Sequence, residues 1–157
     1  MPGDIIRIKL DEKSIVRRNA DIEHERKVAI FDLLEDNQFG LKSVPGPYDL
    51  VLRLEETRLI IEVRDDGANP LEEIRLQVSP FRRIIKDYFM VCESYFSAIK
   101  TSSPSQIEAI DMGRRGLHNE GADLMRQRLA GKVEIDFDTA RRLFTLVCVL
   151  HQKVSAR

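Results

Sequence analysis

Ahead of Pro80 the apolar residues alternate along the chain; beyond it their spacing becomes helical. Apolar side chains recur at every second position in IIRIKL (Ile6, Ile8, Leu10), YDLVLRL (Leu50, Leu52, Leu54), RLIIEVR (Leu59, Ile61, Val63) and EIRLQV (Ile74, Leu76, Val78). A period of two places them on one face of a strand, so four half-buried strands are predicted. The links EET and DDGANP are turn-like, which makes the last three strands an antiparallel meander. Between the first and second strands, DIEHERKVAIFDLLEDN has helical spacing, with Asp21 as its expected N-cap. SVPGPYD follows as a connector. Pro45 and Pro47 around Gly46 admit a binding loop, but a plain turn is the simpler reading.

After Ser79, the expected cap, and Pro80, the expected first helical residue, a wide apolar stripe runs from Phe81 through Ile84, Tyr88, Cys92 and Tyr95 to Ile99. SSPSQ restarts the helix, and Ser103, Pro104 and Gln106 carry a capping-box signature. Gly131 in AGK can take a left-handed conformation and stop that helix. VEIDFD is extended or a turn. DTARRLFTLVCVLHQ is apolar around most of its circumference and is expected to be the most buried helix, with His151 near its negative end. The class is α+β: one short, mostly antiparallel sheet with an inserted N-terminal helix, its apolar face covered by three or four C-terminal helices. Residues 1–157 are expected to form a single domain, strand-rich over 1–79 and helical over 80–157.

Charge narrows the function classes. The 157 residues carry 25 basic and 26 acidic side chains, a formal net charge of -1, so the global positive field of a nucleic-acid binder is missing. An RNA reading through Tyr48, Phe81 and Tyr88 is weak, because the apolar stripe already claims two of them. Cys92 and Cys148 sit in apolar runs and read as buried thiols, which fits a reducing compartment. The charged start gives no expectation of an export signal, and no apolar run approaches the ~20 residues that cross a bilayer. A cytoplasmic protein without membrane or nucleic-acid partners is expected.

Candidate chemistry concentrates in residues 107–122, IEAIDMGRRGLHNEGA. On a continuous helix Ile107, Ile110, Leu117 and Leu124 share a row with Arg114, and an arginine facing a core must pair, snorkel or border a cavity. Asp111 and Arg115 lie one turn apart on another side. Gly113, Gly116 and Gly121 each cost about 1 kcal/mol relative to alanine if helical. A break near Gly116, with Asn119 capping a second helix, is favoured over close packing against the glycines. No phosphate-loop or zinc spacing is present, and no metal site or cofactor is expected. His118 oriented by Asp111 or Glu120 could act as a base. The competing readings are ligand binding and a structural polar network.

Two arginine pairs stand in first turns, where cations oppose the helix dipole: Arg82 and Arg83, with Lys86 one turn on, and Arg141 and Arg142 after an expected cap at Asp138. Free backbone N–H groups and guanidiniums together would hold an anion; otherwise the arginines find acids elsewhere. Glu23, His24 and Glu25 are adjacent and point apart, so they read as a solvated first turn.

DIEHERKVAIFDLLEDN, GPYDLVLRLEETRL, SPFRRIIKDYF with CESYF, SPSQIEAIDMGRRGLHNEGADLM and KVEIDFDTARRLFTLVCVLH together resemble UPF0262, a family of small alphaproteobacterial proteins with no assigned function. The likeness covers most of the chain, with departures in the first strand, residues 40–46 and DDGAN. It implies that Glu23, His24, Arg82, Arg83, Asp111, Arg114, Arg115, His118, Asn119, Arg141 and Arg142 occupy the family's recognisable segments, and gives none of them a role. The expected function is protein–protein association, with another protein or as a homodimer. The alternative is binding or processing of a phosphorylated or carboxylate small molecule through Arg82, Arg83, Arg114, Arg115, Arg141 and Arg142.

Overall fold

A computed structural model describes residues 4–11 and 20–155. The elements are β1 (Ile5–Leu10), α1 (Ala20–Glu35), β2 (Phe39–Leu41), β3 (Tyr48–Glu55), β4 (Arg58–Arg64), β5 (Pro70–Gln77), α2 (Arg82–Thr101), α3 (Pro104–Leu129), β6 (Val133–Ile135) and α4 (Phe137–Ser155). The fold is α+β. Its main sheet has the order β1-β3-β4-β5; β3, β4 and β5 form the expected antiparallel meander. β1 pairs parallel to β3. Parallel neighbours need a crossover, and the segment containing α1 supplies it.

The alternation holds through β3, β4 and β5. Leu50, Leu52, Leu59, Ile61, Val63, Ile74 and Leu76 point to one face and join Phe81, Ile85, Tyr88, Leu143, Phe144 and Val147 in a common core. Each fully buried side chain of this kind contributes roughly 1.5–3 kcal/mol. Every residue of α4 from Leu143 to Leu150 is buried, as its apolar circumference requires. On the opposite sheet face Val51 and Ile60 are also buried, at 3% and 1% exposure. Above them Arg53 donates to Glu55 (2.8 Å) and Glu62 (2.9 Å) and reaches Glu73 (3.5 Å). Glu62 and Glu73 face each other across the ladder. Like charges so placed repel, and Arg53 neutralises them.

Several local expectations are corrected. In β1 a register shift between Ile5 and Arg7 changes the phase, so Ile5 is buried and Ile6 exposed. A bulge inserts one residue and flips every side chain on one side of it. α1 is already helical at Ala20, so Asp21 lies inside its first turn. Ser79 caps nothing: Ser79–Phe81 is a single 3-10 turn closed by Phe81 N–H to the Val78 carbonyl (2.8 Å), and α2 starts behind it without a side-chain cap. The cap of α4 is Asp136, which accepts the Thr139 N–H at 3.0 Å; Asp138 is in the first turn.

α3 does not break. It runs unbroken through Gly113, Gly116 and Gly121, and Asn119 lies in its interior. The geometric reason is confined to Gly121, where a Cβ would stand 2.5 Å from three atoms of the Phe144 ring. The capping box at Ser103 and Gln106 forms as predicted, and Gly131 follows the helix at φ +88°. β2 and β6 form a separate two-stranded antiparallel sheet, which the sequence pattern did not announce. Among the described residues no helix is long and apolar enough to cross a membrane.

Candidate functional site: a polar node among four helices

Arg114 comes from the inward row of α3, and its guanidinium stays charged at any working pH. Its Nε and Nη2 donate to Asp111 Oδ1 at 3.1 and 2.7 Å, and its Nη1 reaches Glu25 Oε2 on α1 at 3.4 Å. The guanidinium also lies 4.5 Å above the Tyr95 ring of α2. The other Asp111 oxygen accepts from Arg115 Nε at 2.9 Å. Hydrogen bonds from Arg114, then from Arg115, hold the Asp111 carboxyl below the usual carboxylate range despite partial burial.

Glu25 is the link that adjacency on one helix hid. It is not part of a solvated turn: its side chain is 13% exposed and accepts the Tyr88 hydroxyl at 2.7 Å. Burial, then the Glu25 charge, push the Tyr88 phenol far above its ordinary value, so it stays a donor. The Tyr88 ring packs 4.7 Å from the His118 ring. His118 Nε2 is 3.1 Å from Thr145 Oγ1, and that hydroxyl donates to the Arg141 carbonyl at 3.1 Å. With its only proton committed, Thr145 must accept from His118, which assigns the Nε2–H tautomer. Burial, reinforced by the charges of Arg114 and Arg141, lowers the His118 pKa to about 4.

Neither of the two carboxylates considered as an orienter of His118 is bonded to it. Asp111 is occupied by two guanidiniums, and Glu120 meets Arg83 Nη2 at 3.3 Å. Neither orients His118, whose Nε2 serves Thr145. The nearby Cys92 thiol is raised to about 11 by burial, and burial also raises Cys148, so both carry a proton at neutral pH. This arrangement clamps α1, α2, α3 and α4 together through directional bonds.

The six candidate arginines do not converge on one cleft. Arg83 meets Asp87 and Glu120; Arg114 and Arg115 share Asp111; Arg141 reaches Asp138 at 3.4 Å. Arg142 donates to the carbonyls of Asp32 (3.4 Å) and Asp36 (3.0 Å), closing the C-terminal end of α1. Arg82 is exposed, and its charge, after burial, depresses His151.

None of these arginines lines the cleft of about 940 Å³ beside the small β2–β6 sheet. Its walls include Asp4, Lys42, Gly46, Arg126, Gly131 and Glu134. Asp4 accepts the Phe39 N–H at 2.8 Å, and the Tyr48 hydroxyl accepts the Leu41 N–H at 3.0 Å while donating to the Val44 carbonyl. Sequence reasoning missed this hollow; Gly46 between two prolines was the available signal. Among the described residues no three His, Cys, Asp or Glu side chains gather where they could hold a metal ion.

The architecture defines a small α+β protein with a helical layer keyed to its sheet. Residues 3–153 match the uncharacterised protein family UPF0262, and the chain belongs to that family. A UPF0262 protein of Rhodospirillum rubrum is 62% identical over 149 residues, covering 95% of this chain and 92% of the relative. One of Paramagnetospirillum magneticum is 61% identical over 148 residues, covering 94% of each. A third, from Mesorhizobium japonicum, is 61% identical over 150 residues, covering 94% of this chain and 92% of its own. Each of these relatives is named by the family designation. No solved structure matches the chain significantly.

Proposed function

We propose that the protein works by protein–protein association, docking through the outer face of α1. The observation that supports this reading is a row of Val28, Phe31 and Leu34, exposed to 42%, 64% and 39%. A surface helix ordinarily shows one apolar and one polar face. α1 buries Ile22, Ala29 and Leu33 inward and still carries an apolar row outward. Covering the 64% of Phe31 left exposed recovers roughly 1–2 kcal/mol, which favours a partner. The helix is also held firmly enough to present that row. Glu25 ties it to the polar node, Arg142 closes its end, and buried Asn37 just beyond bonds Ile5 N–H (2.8 Å), Ile5 O (3.0 Å) and Leu33 O (2.9 Å).

The experiment is photo-crosslinking in cells with a benzoylphenylalanine at position 31 and a control at exposed Gln127 on α3. A discrete protein adduct from position 31 alone is expected; equal labelling from both positions, or none from 31, sinks the reading. The second reading, binding of a phosphorylated or carboxylate small molecule, is supported by Lys42 and Arg126, which line the cleft without an ion pair among the described residues. A thermal-shift screen with such metabolites should then give a hit that Arg126→Ala abolishes.

A further inference from the structure

We infer that the partner of the α1 face is a second copy of this chain, docked antiparallel about a two-fold axis passing beside Phe31. This rests on the association reading above and adds the occupant. A two-fold contact brings one patch against itself, so it requires a patch complementary to its own inverse. In an antiparallel helix pair centred on Phe31, a residue a given number of positions before it faces the residue the same number after it on the other copy. Val28 then faces Leu34, three positions either side, and both are exposed apolar side chains. Lys27 faces Glu35, four positions either side, and both are exposed. Neither Lys27 nor Glu35 has an ion pair within its own chain among the described residues.

At 3.6 residues per turn Lys27, Val28, Phe31, Leu34 and Glu35 fall within about 60° of the Phe31 direction, so all five belong to one face. The inverse-symmetric order is charge, apolar, aromatic, apolar, opposite charge. Glu35 at a helix C-terminus opposes the dipole, and a lysine supplied by the second copy compensates it. A single 16-residue helix face covers less than the ~800 Å² per partner of a standard interface, so the dimer is weak and forms in the micromolar range.

Sedimentation velocity on the full chain tests this, with circular dichroism confirming that each variant is folded. Wild type is expected to show a monomer–dimer equilibrium that weakens with salt. F31E should be monomeric. K27E and E35K should each raise the dissociation constant roughly tenfold, because each turns two attractive pairs into two repulsive ones. Mixing K27E with E35K should regain the dimer as a heterodimer, and the K27E/E35K chain should dimerise as wild type does. A wild type that stays monomeric at several hundred micromolar overturns the second-copy inference; adducts at position 31 to another protein would leave the association reading standing. A dimer indifferent to F31E overturns both. Charge variants that weaken the dimer without rescuing one another overturn the antiparallel pairing.

Discussion

A close approach between α3 and α4 depends on one missing methyl group, and Gly121→Ala measures what it is worth. A Cβ at Gly121 would meet Phe144 Cδ2, Cε2 and Cζ at 2.5 Å, where carbon–carbon contacts normally settle near ~3.5–4.0 Å. The ring or the helix must therefore retreat by about 1 Å. Phe144 is fully buried, with the Phe81 ring 6.4 Å and the Tyr88 ring 6.1 Å away, so it has little room. Overpacking of this kind costs about 3 kcal/mol at its upper range, and the helix propensity gained over glycine offsets about 1. A net loss of about 2 kcal/mol is expected, a fall in Tm of roughly 4–8 °C for a chain of this length. Gly116→Ala is the matched control: nothing lies within 4 Å of its added Cβ, so it should stabilise by up to about 1 kcal/mol. Urea unfolding monitored by circular dichroism reads both. In a Phe144→Leu background the clash should largely disappear and leave the helix-propensity gain, giving a coupling of up to about 3 kcal/mol. If Gly121→Ala stabilises as much as Gly116→Ala, the helices do not approach as described.

Three further outcomes are expected. His118 has a folded pKa of about 4 against an ordinary 6.5, so the unfolded chain binds more protons between those values. Stability should be complete above pH 6.5, fall as pH drops towards 4 and lose on the order of 3 kcal/mol; His151 acts with the same sign, and His118→Gln should flatten most of the slope in pH-dependent urea titrations. Asp111→Asn leaves Arg114 with Glu25 as its only carboxylate among the described residues and should cost about 2–3 kcal/mol by the same assay, whereas Arg115→Ala, at the exposed end of the cluster, should cost under ~1 kcal/mol. Arg142→Met removes the donors to the Asp32 and Asp36 carbonyls and should raise amide exchange in the last turn of α1, read by mass spectrometry, while protection in β3 and β4 is retained.

Some local chemistry was legible from neighbouring residues, although the caps expected at Asp21, Ser79 and Asp138 each fell a residue or more from where the helices begin. The meander strands follow from period-two spacing, and the Ser103–Gln106 box and Gly131 stop form from neighbours in sequence. Arg114 was conspicuous on an apolar row, but its partner Glu25 belongs to another helix, and Glu25 looked like an ordinary first-turn acid. β2 and β6 are three residues each and take their identity from pairing with one another across the chain. The bulge in β1 is invisible for a related reason: Ile5 and Ile6 are equally apolar, and only the neighbouring strand decides which points inward. The glycines of α3 were noticed correctly as costly, yet the cause at Gly121 is an aromatic ring on α4.

The side chains on the free edge of β2 carry one more consequence. Asp4 takes the Phe39 N–H and Tyr48 takes the Leu41 N–H, so the donors that an incoming strand would seek are already engaged. An exposed ladder edge can recruit a foreign strand, and an occupied one resists it. The short sheet is thus shielded from growing by strand addition at that edge, even beside an open cleft. Under the proposed association, contact between molecules would fall instead to the outer face of α1, where side-chain shape and charge choose the partner and the backbone offers no indiscriminate template.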